Sequence, residues 1–226
     1  MHETEAETRV GGREIVIPAG SVSLQGDLEV PETAHGVVLF AHGSGSSRHS
    51  RRNQFVARRL QEAGLATLLM DLLTPSEDEE DARTARLRFD MDLLARRLLA
   101  ATDWLGEDPR IHDLPLGYFG ASSGGGAALV AAAERPQVVK AVVSRGGRPD
   151  LAGEALPRVE APTLLIVGSR DTSVITVNRQ SLERLRCVKD LQIVPGASHL
   201  FEEPGTLEAV ANLAAAWFLR HLGAAS

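Results

Sequence analysis

Three short segments of this 226-residue chain carry residue types that together can perform nucleophilic catalysis. The first is Tyr118-Phe119-Gly120-Ala121-Ser122-Ser123-Gly124-Gly125-Gly126, which contains G-x-S-x-G. An apolar run feeds into it and a run of small residues follows, so the pattern predicts a strand, a tight turn and a helix, the arrangement called a nucleophile elbow. The glycines let the chain turn without a clash. The turn lifts the serine hydroxyl to the amino end of the helix, where backbone N–H groups face a reacting oxygen. Ser122 is the preferred nucleophile, and the A-x-S-x-G register, with Ser123 as nucleophile, competes with it.

A serine hydroxyl needs a positioned base, normally a histidine whose other ring nitrogen is held by a carboxylate. Of the seven histidines, His199 lies in Val194-Pro195-Gly196-Ala197-Ser198-His199-Leu200-Phe201, after the last predicted strand and before the final helix. His2 and His221 are terminal, and His35 and His112 sit before strands, at the wrong edge. The acid is read as Asp171, just beyond the apolar run Leu164 to Val167. Asp150, after the preceding strand, is its rival, while Asp71 precedes the serine and breaks the order Ser122, Asp171, His199. Acyl transfer also needs donors aimed at the developing oxyanion. The N–H of Ser123 supplies one, and the N–H of Ser44 is preferred to that of Gly43 for the other. Ser44 and Gly43 belong to Phe40-Ala41-His42-Gly43-Ser44-Gly45-Ser46-Ser47-Arg48-His49, where His42 is read as a scaffold residue.

The elements that must position these groups are legible in the hydrophobic pattern. Glu14 to Pro18 and Leu24 to Val30 predict an antiparallel opening hairpin. Then come compact apolar runs suited to strands buried on both faces: Val37 to Phe40, Leu65 to Met70, Leu116 to Phe119, Val138 to Val143, Thr163 to Val167 and Leu191 to Val194. Helices are predicted at about 52–63, 81–105, 124–133, 175–185 and 207–222. The longest carries Leu87, Met91, Leu94, Leu98, Ala101 and Leu105 at helical spacing. The acidic run Glu77 to Asp81 precedes it as a complement to the helix dipole. Strands alternating with helices imply a doubly wound sheet whose ligands bind beyond the carboxyl ends of the strands. Residues 1–12 read as a polar leader and 13–226 as a single domain.

Composition narrows the function classes. With 43% hydrophobic and 24% charged residues the chain is ordinary globular protein, and its net charge of −6 argues against nucleic acid as a partner. The pairs Arg51/Arg52, Arg58/Arg59 and Arg96/Arg97 read as solvated faces. The single cysteine, Cys187, excludes an internal disulfide framework and reads as structural. The acidic start lacks the pattern of a secretory signal and no apolar run is long enough to span a bilayer, so no membrane partner and a cytoplasmic location are expected. No metal-site spacing and no phosphate loop is found. Gly43-x-Gly45 followed by Asp71 is a weak dinucleotide fingerprint, with Arg48 in place of the third glycine.

With these segments in view, the chain resembles the dienelactone-hydrolase-like branch of the α/β-hydrolase superfamily. The resemblance rests on the H-G loop, G-A-S-S-G, G-S-R-D and G-A-S-H-L, and runs from Val37 to the final helix. It implies an α/β-hydrolase fold, a doubly wound and mostly parallel sheet with antiparallel N-terminal strands, and a cofactor-free esterase or lactonase with an open site. It departs at one position: dienelactone hydrolases have cysteine where this chain has Ser122. Many members insert a helical lid after the strand at Val138 to Val143, but only residues 144–162 are available here, so the lid is absent or minimal. Arg48 and Arg145 lie in loops at the functional edge, suited to a substrate carboxylate or to structural salt bridges. The expectation is hydrolysis of a small soluble ester, lactone or thioester by a monomer or homodimer. A fold retained only for binding or as a partner domain is the alternative.

Overall fold

The computed structural model describes residues 12–223, so the polar leader, Gly12 excepted, and residues 224–226 lie outside the described residues. The chain opens with β1 (Arg13–Ala19) and β2 (Val22–Glu29), an antiparallel hairpin in which Ile15 pairs with Gly26 and Ile17 with Leu24. Burial alternates along β1, as expected of a strand with one wet face. The strands that follow, β3 (Val37–Ala41), β4 (Ala66–Met70), β5 (Leu116–Ala121), β6 (Val139–Arg145) and β7 (Thr163–Gly168), are buried almost throughout. With the edge strand β8 (Lys189–Val194) they complete an eight-stranded sheet in the order β1-β2-β4-β3-β5-β6-β7-β8. Every pairing from β4 to β8 along that order is parallel.

Helices cover both faces because parallel strands leave two apolar surfaces to bury. On one face α1 (Arg51–Glu62) and the final helix, Thr206–Leu222, pack through Val56, Leu60, Val210 and Phe218 onto Val38, Phe40 and Phe119. On the other, the helices at Met91–Glu107 and Ser123–Glu134 pack through Leu94, Leu98, Ala128 and Leu129 onto Leu39, Leu68 and Tyr118. In chain order the helices are α1, α2 (Pro75–Thr84), α3 (Met91–Glu107), α4 (Ser123–Glu134), α5 (Thr172–Arg184) and α6 (Thr206–Leu222). The stretch after β6 holds only short 3₁₀ turns between Pro149 and Arg158, and no helical lid is inserted there. None of the described helices is long and apolar enough to cross a membrane.

The single helix expected from Asp81 to Leu105 is in fact two helices joined by a 3₁₀ turn, Leu87–Phe89. The break has local causes. Ala85 adopts a left-handed conformation, φ 52°, and Asp90 caps α3 by accepting from Leu93 N at 2.9 Å. Asp81, 1% exposed, accepts from the backbone N–H groups of Leu87 and Arg88 at 2.8 and 3.0 Å and pairs with the Arg88 guanidinium at 2.6 Å. It therefore does more than complement a dipole: it ties the end of α2 to the following turn. The dipole role falls to Glu77 and Asp78 in the first turn of α2, where Thr74 and Glu77 form a capping box.

Two of the six paired arginines are more than solvated faces. Arg97 is 8% exposed because its side of α3 faces the hairpin, where it donates to Ala19 O at 3.0 Å and to Glu77 at 2.7 Å. Arg52 is half-buried in a cleft described below. Removing the Asp81 carboxylate leaves the N–H groups of Leu87 and Arg88 without their acceptor, while the Arg88 guanidinium keeps only its bond to the carbonyl of residue 81 at 2.9 Å. Asp81→Ala should therefore destabilise the protein by about 2–4 kcal/mol in urea unfolding. An unchanged midpoint would mean that the turn is held by something other than Asp81.

Candidate active site

The β5–α4 turn is tight because of its glycines. A Cβ on Gly120 would lie 2.5 Å from Gly125 Cα, and one on Gly124 would lie 2.3 Å from Ala41 O. Between them Ser122 is forced to φ 51° and ψ −123°, a region costing a non-glycine residue about 1–3 kcal/mol. The bond from Ser122 N to Arg145 O, 3.2 Å, fastens the turn to the end of β6. Ser122 occupies the N-cap of α4 but makes no capping bond, so its hydroxyl is not used to hold the helix. It lines a cleft of about 220 Å³ together with Gly43, Ser44, Arg145 and His199. The cleft opens beside β3 and β5, where the sheet's winding reverses direction.

His199 and Asp171 come from the loops after β8 and β7, and these loops cross in contact. A Cβ on Gly168 would lie 2.4 Å from Ala197 O, and Arg170 N donates to Ala197 O at 2.9 Å. Asp171 stands at the N-cap of α5 yet does not cap it. Its carboxylate instead meets His199 Nδ1 at 2.6 Å, and its side chain is 11% exposed against 40% for the histidine. The bond leaves Nε2 as the ring nitrogen able to exchange a proton. Glu203 steadies the histidine loop by accepting from Ser198 N at 3.0 Å. The rival acid, Asp150, is held by both arms of the Arg148 guanidinium at 2.8 and 2.6 Å.

The loop after β3 is fixed at several points. Leu72 N donates to His42 Nε2 at 3.0 Å, and a backbone N–H can only donate, so Nε2 carries no proton. Nδ1 then donates to Gly43 O at 2.9 Å, and burial pushes the imidazole pKa down, which favours the same neutral form. His42 is thus a scaffold residue, as its place in the sequence suggested. Gly43 packs directly against Ser122, since a Cβ there would lie 2.9 Å from Ser122 Cβ. Ser44 Oγ and Ser123 Oγ are hydrogen-bonded at 2.9 Å, joining the loop to the first turn of α4. Ser123 is 2% exposed, which suits an anchor better than a nucleophile.

Of the two arginines considered for substrate, Arg48 is taken up structurally. Its guanidinium pairs with Asp71, lies 3.4 Å from Asp27 and 3.7 Å from Glu14, and its N–H donates to Asp71 at 2.8 Å. It lines a neighbouring cavity with His42 and Asp71, not the cleft of Ser122. Arg145 does line that cleft. The sequence reading missed Arg52 and Asn53, which the first turn of α1 also brings there. Asn53, 2% exposed, accepts from Arg145 at 3.3 Å. A polar amide at a helix position otherwise filled by Val56, Ala57 and Leu60 was the signal available. Cys187 is half-buried beside Thr163, and burial raises its thiol pKa, consistent with a structural role.

Residues 24–221 match the sequence profile of the Dienelactone hydrolase family. The chain belongs to the dienelactone hydrolase family. Among solved structures it is similar to a dienelactone hydrolase from Anabaena variabilis, with 62% identity, a TM-score of 0.91, and coverage of 94% of this chain and 99% of that one. The fold is shared with XC6422 from Xanthomonas campestris, described as a serine hydrolase without a lid, at 21% identity and a TM-score of 0.75 over 96% and 97% of the two chains. A Mycobacterium tuberculosis protein named "Putative phosphoribosyl transferase" is 54% identical over 220 residues, 97% of this chain and 49% of its own length. This member of the dienelactone hydrolase family thus spans about half the length of the curated relatives it matches.

Because the folded protein holds His42 below its ordinary pKa, the unfolded chain takes up that proton first as pH falls. The contribution of His42 to stability is present above about pH 6.5 and is lost as pH drops below that value. His42→Gln should flatten the fall in unfolding free energy between about pH 6.5 and 5, measured by urea titration. An identical slope in both proteins would contradict the neutral, bond-accepting imidazole.

Proposed function

We propose that this protein is a serine hydrolase that cleaves small carboxylic esters, lactones or thioesters through an acyl-enzyme on Ser122. The observation that carries the reading is the use made of Asp171. An aspartate at an N-cap ordinarily caps its own helix, a bond worth about 1 kcal/mol. Here the carboxylate is turned to His199 Nδ1 at 2.6 Å, while His199 and Ser122 line one cleft.

In the proposed reaction His199 Nε2 takes the proton of the Ser122 hydroxyl as its oxygen attacks the acyl carbon. Asp171 holds the ring in the required tautomer and stabilises the imidazolium. Charge developing on the carbonyl oxygen is met by the N–H groups of Ser123 and Ser44, whose loops the hydroxyl bond at 2.9 Å keeps together. His199 then protonates the leaving group, and a water activated by the same nitrogen releases the acid. The small cleft and the absence of a helical insertion after β6 favour small acyl groups. A domain kept only for binding would have no use for the strained backbone at Ser122, which disfavours that alternative. The phosphoribosyl transferase name is attached to chains about twice this length, and the chemistry proposed concerns the part represented here.

An active-site phosphonate should label wild type and Ser123→Ala but not Ser122→Ala. Ser122→Ala should lose at least about 10⁴-fold in kcat on p-nitrophenyl acetate, and Asp171→Asn a comparable factor. Equal turnover by wild type and Ser122→Ala would rule the mechanism out.

A further inference from the structure

Among the described residues, one charged side chain in the cleft has no counter-ion. Arg145, the last residue of β6, is 7% exposed and lines the cleft beside Ser122 and His199. Its guanidinium donates to Asn53 Oδ1 at a long 3.3 Å, and its Nε is buried without a partner among the described residues. The guanidinium also lies over the Phe201 ring, 6.0 Å from its centroid, but a ring face does not replace a counter-ion, and buried charges are normally paired. Burial, followed by the nearby charge of Arg52, pushes its pKa down to about 10.

A second arginine, Arg52, reaches the cleft from a different element; its side chain is 36% exposed and it has a counter-ion, but only outside the cleft. It lies in the first turn of α1, and its Nε is likewise buried and unpartnered among the described residues. One arm reaches Glu202 at 3.3 Å, but that carboxylate is 64% exposed and lies outside the residues lining the cleft, none of which is acidic. The first turn of α1 contains no acidic residue. It carries arginines instead, at the helix end where the backbone already concentrates positive charge. Two guanidiniums and a helix amino end therefore converge with an Nε donor of each left unused, an arrangement that an anion in the cleft would complete.

The geometry narrows the anion. One carboxylate matches the planar fork of one arginine. Two guanidiniums from separate elements, with the Ser44 and Ser50 hydroxyls also at the cleft, suit a tetrahedral group with several oxygens and a charge near −2. We propose that Arg145, Arg52 and the first turn of α1 form a phosphate subsite beside Ser122. The acyl substrate would then carry a phosphate group. The second statement rests on the hydrolase reading; the phosphate subsite itself does not.

The test uses inorganic phosphate in a phosphate-free buffer, with binding measured by titration calorimetry and as competitive inhibition of p-nitrophenyl acetate hydrolysis. Wild type should bind phosphate more tightly than acetate or succinate. Arg145→Met and Arg52→Gln should each weaken phosphate binding by about 10- to 100-fold, with Arg145→Lys intermediate. Thermal unfolding reports whether the buried substitution still folds, and the half-buried Arg52→Gln carries the test if it does not. Absence of phosphate binding to wild type, tighter binding of succinate, or wild-type phosphate affinity in folded Arg52→Gln would each overturn the subsite. If phosphate binds as expected while Ser122 resists the phosphonate, the subsite stands and the hydrolase reading falls.

Discussion

The hydrogen bond between His199 and Asp171 exists because two loops cross with no room for a side chain between them. Gly168 permits the crossing: a Cβ there would lie 2.4 Å from Ala197 O and 2.5 Å from Ser198 O. The same condition recurs at each junction of the cleft. Gly124 lies against Ala41 and His42, Gly43 against Ser122, and Gly146, at φ 50°, against His199. The side chains of the cleft are thus placed by backbone contact among strand-end loops, and the sheet order that brings those ends together is what the rest of the site depends on.

A second regularity follows from that crowding. Ser122 and Asp171 both occupy helix N-caps, and neither caps its helix. Serine and aspartate are residue types that normally stabilise those positions. The forgone caps and the strained backbone at Ser122 together amount to a few kcal/mol, a sizeable share of the roughly 5–15 kcal/mol by which a domain is stable. Cores on both faces of the sheet offset that cost, and the ends of the loops are secured separately by Arg48 with Asp71, Glu203 with Ser198, and His42 with Leu72.

Much of this was legible in the sequence, because periodicity and turn chemistry are local. The order of strands and helices, the hairpin, the elbow and the pairing of His199 with Asp171 rather than Asp150 all follow from short motifs. What escaped depended on contacts between distant segments. The break after α2 needed knowledge that Asp81 folds back onto Leu87 and Arg88, since the apolar spacing from Leu87 onward reads as helix either way. Arg97 and Arg52 each look like half of a solvated pair until β1 and β6 are placed beside them. Arg48 was taken up by carboxylates from β1, β2 and the end of β4, which no spacing along the chain discloses.

The packing of Gly43 against Ser122 has an evolutionary consequence. It restricts the backbone and the Cβ at position 122, yet places no comparable demand on the atom beyond. Cysteine and serine are alike up to Cβ and differ only in that outer atom. A lineage can therefore exchange sulfur for oxygen here by a single codon change, keeping the turn and the His199–Asp171 pair in place. The architecture is inherited, and the outer atom at position 122 is free to vary within it.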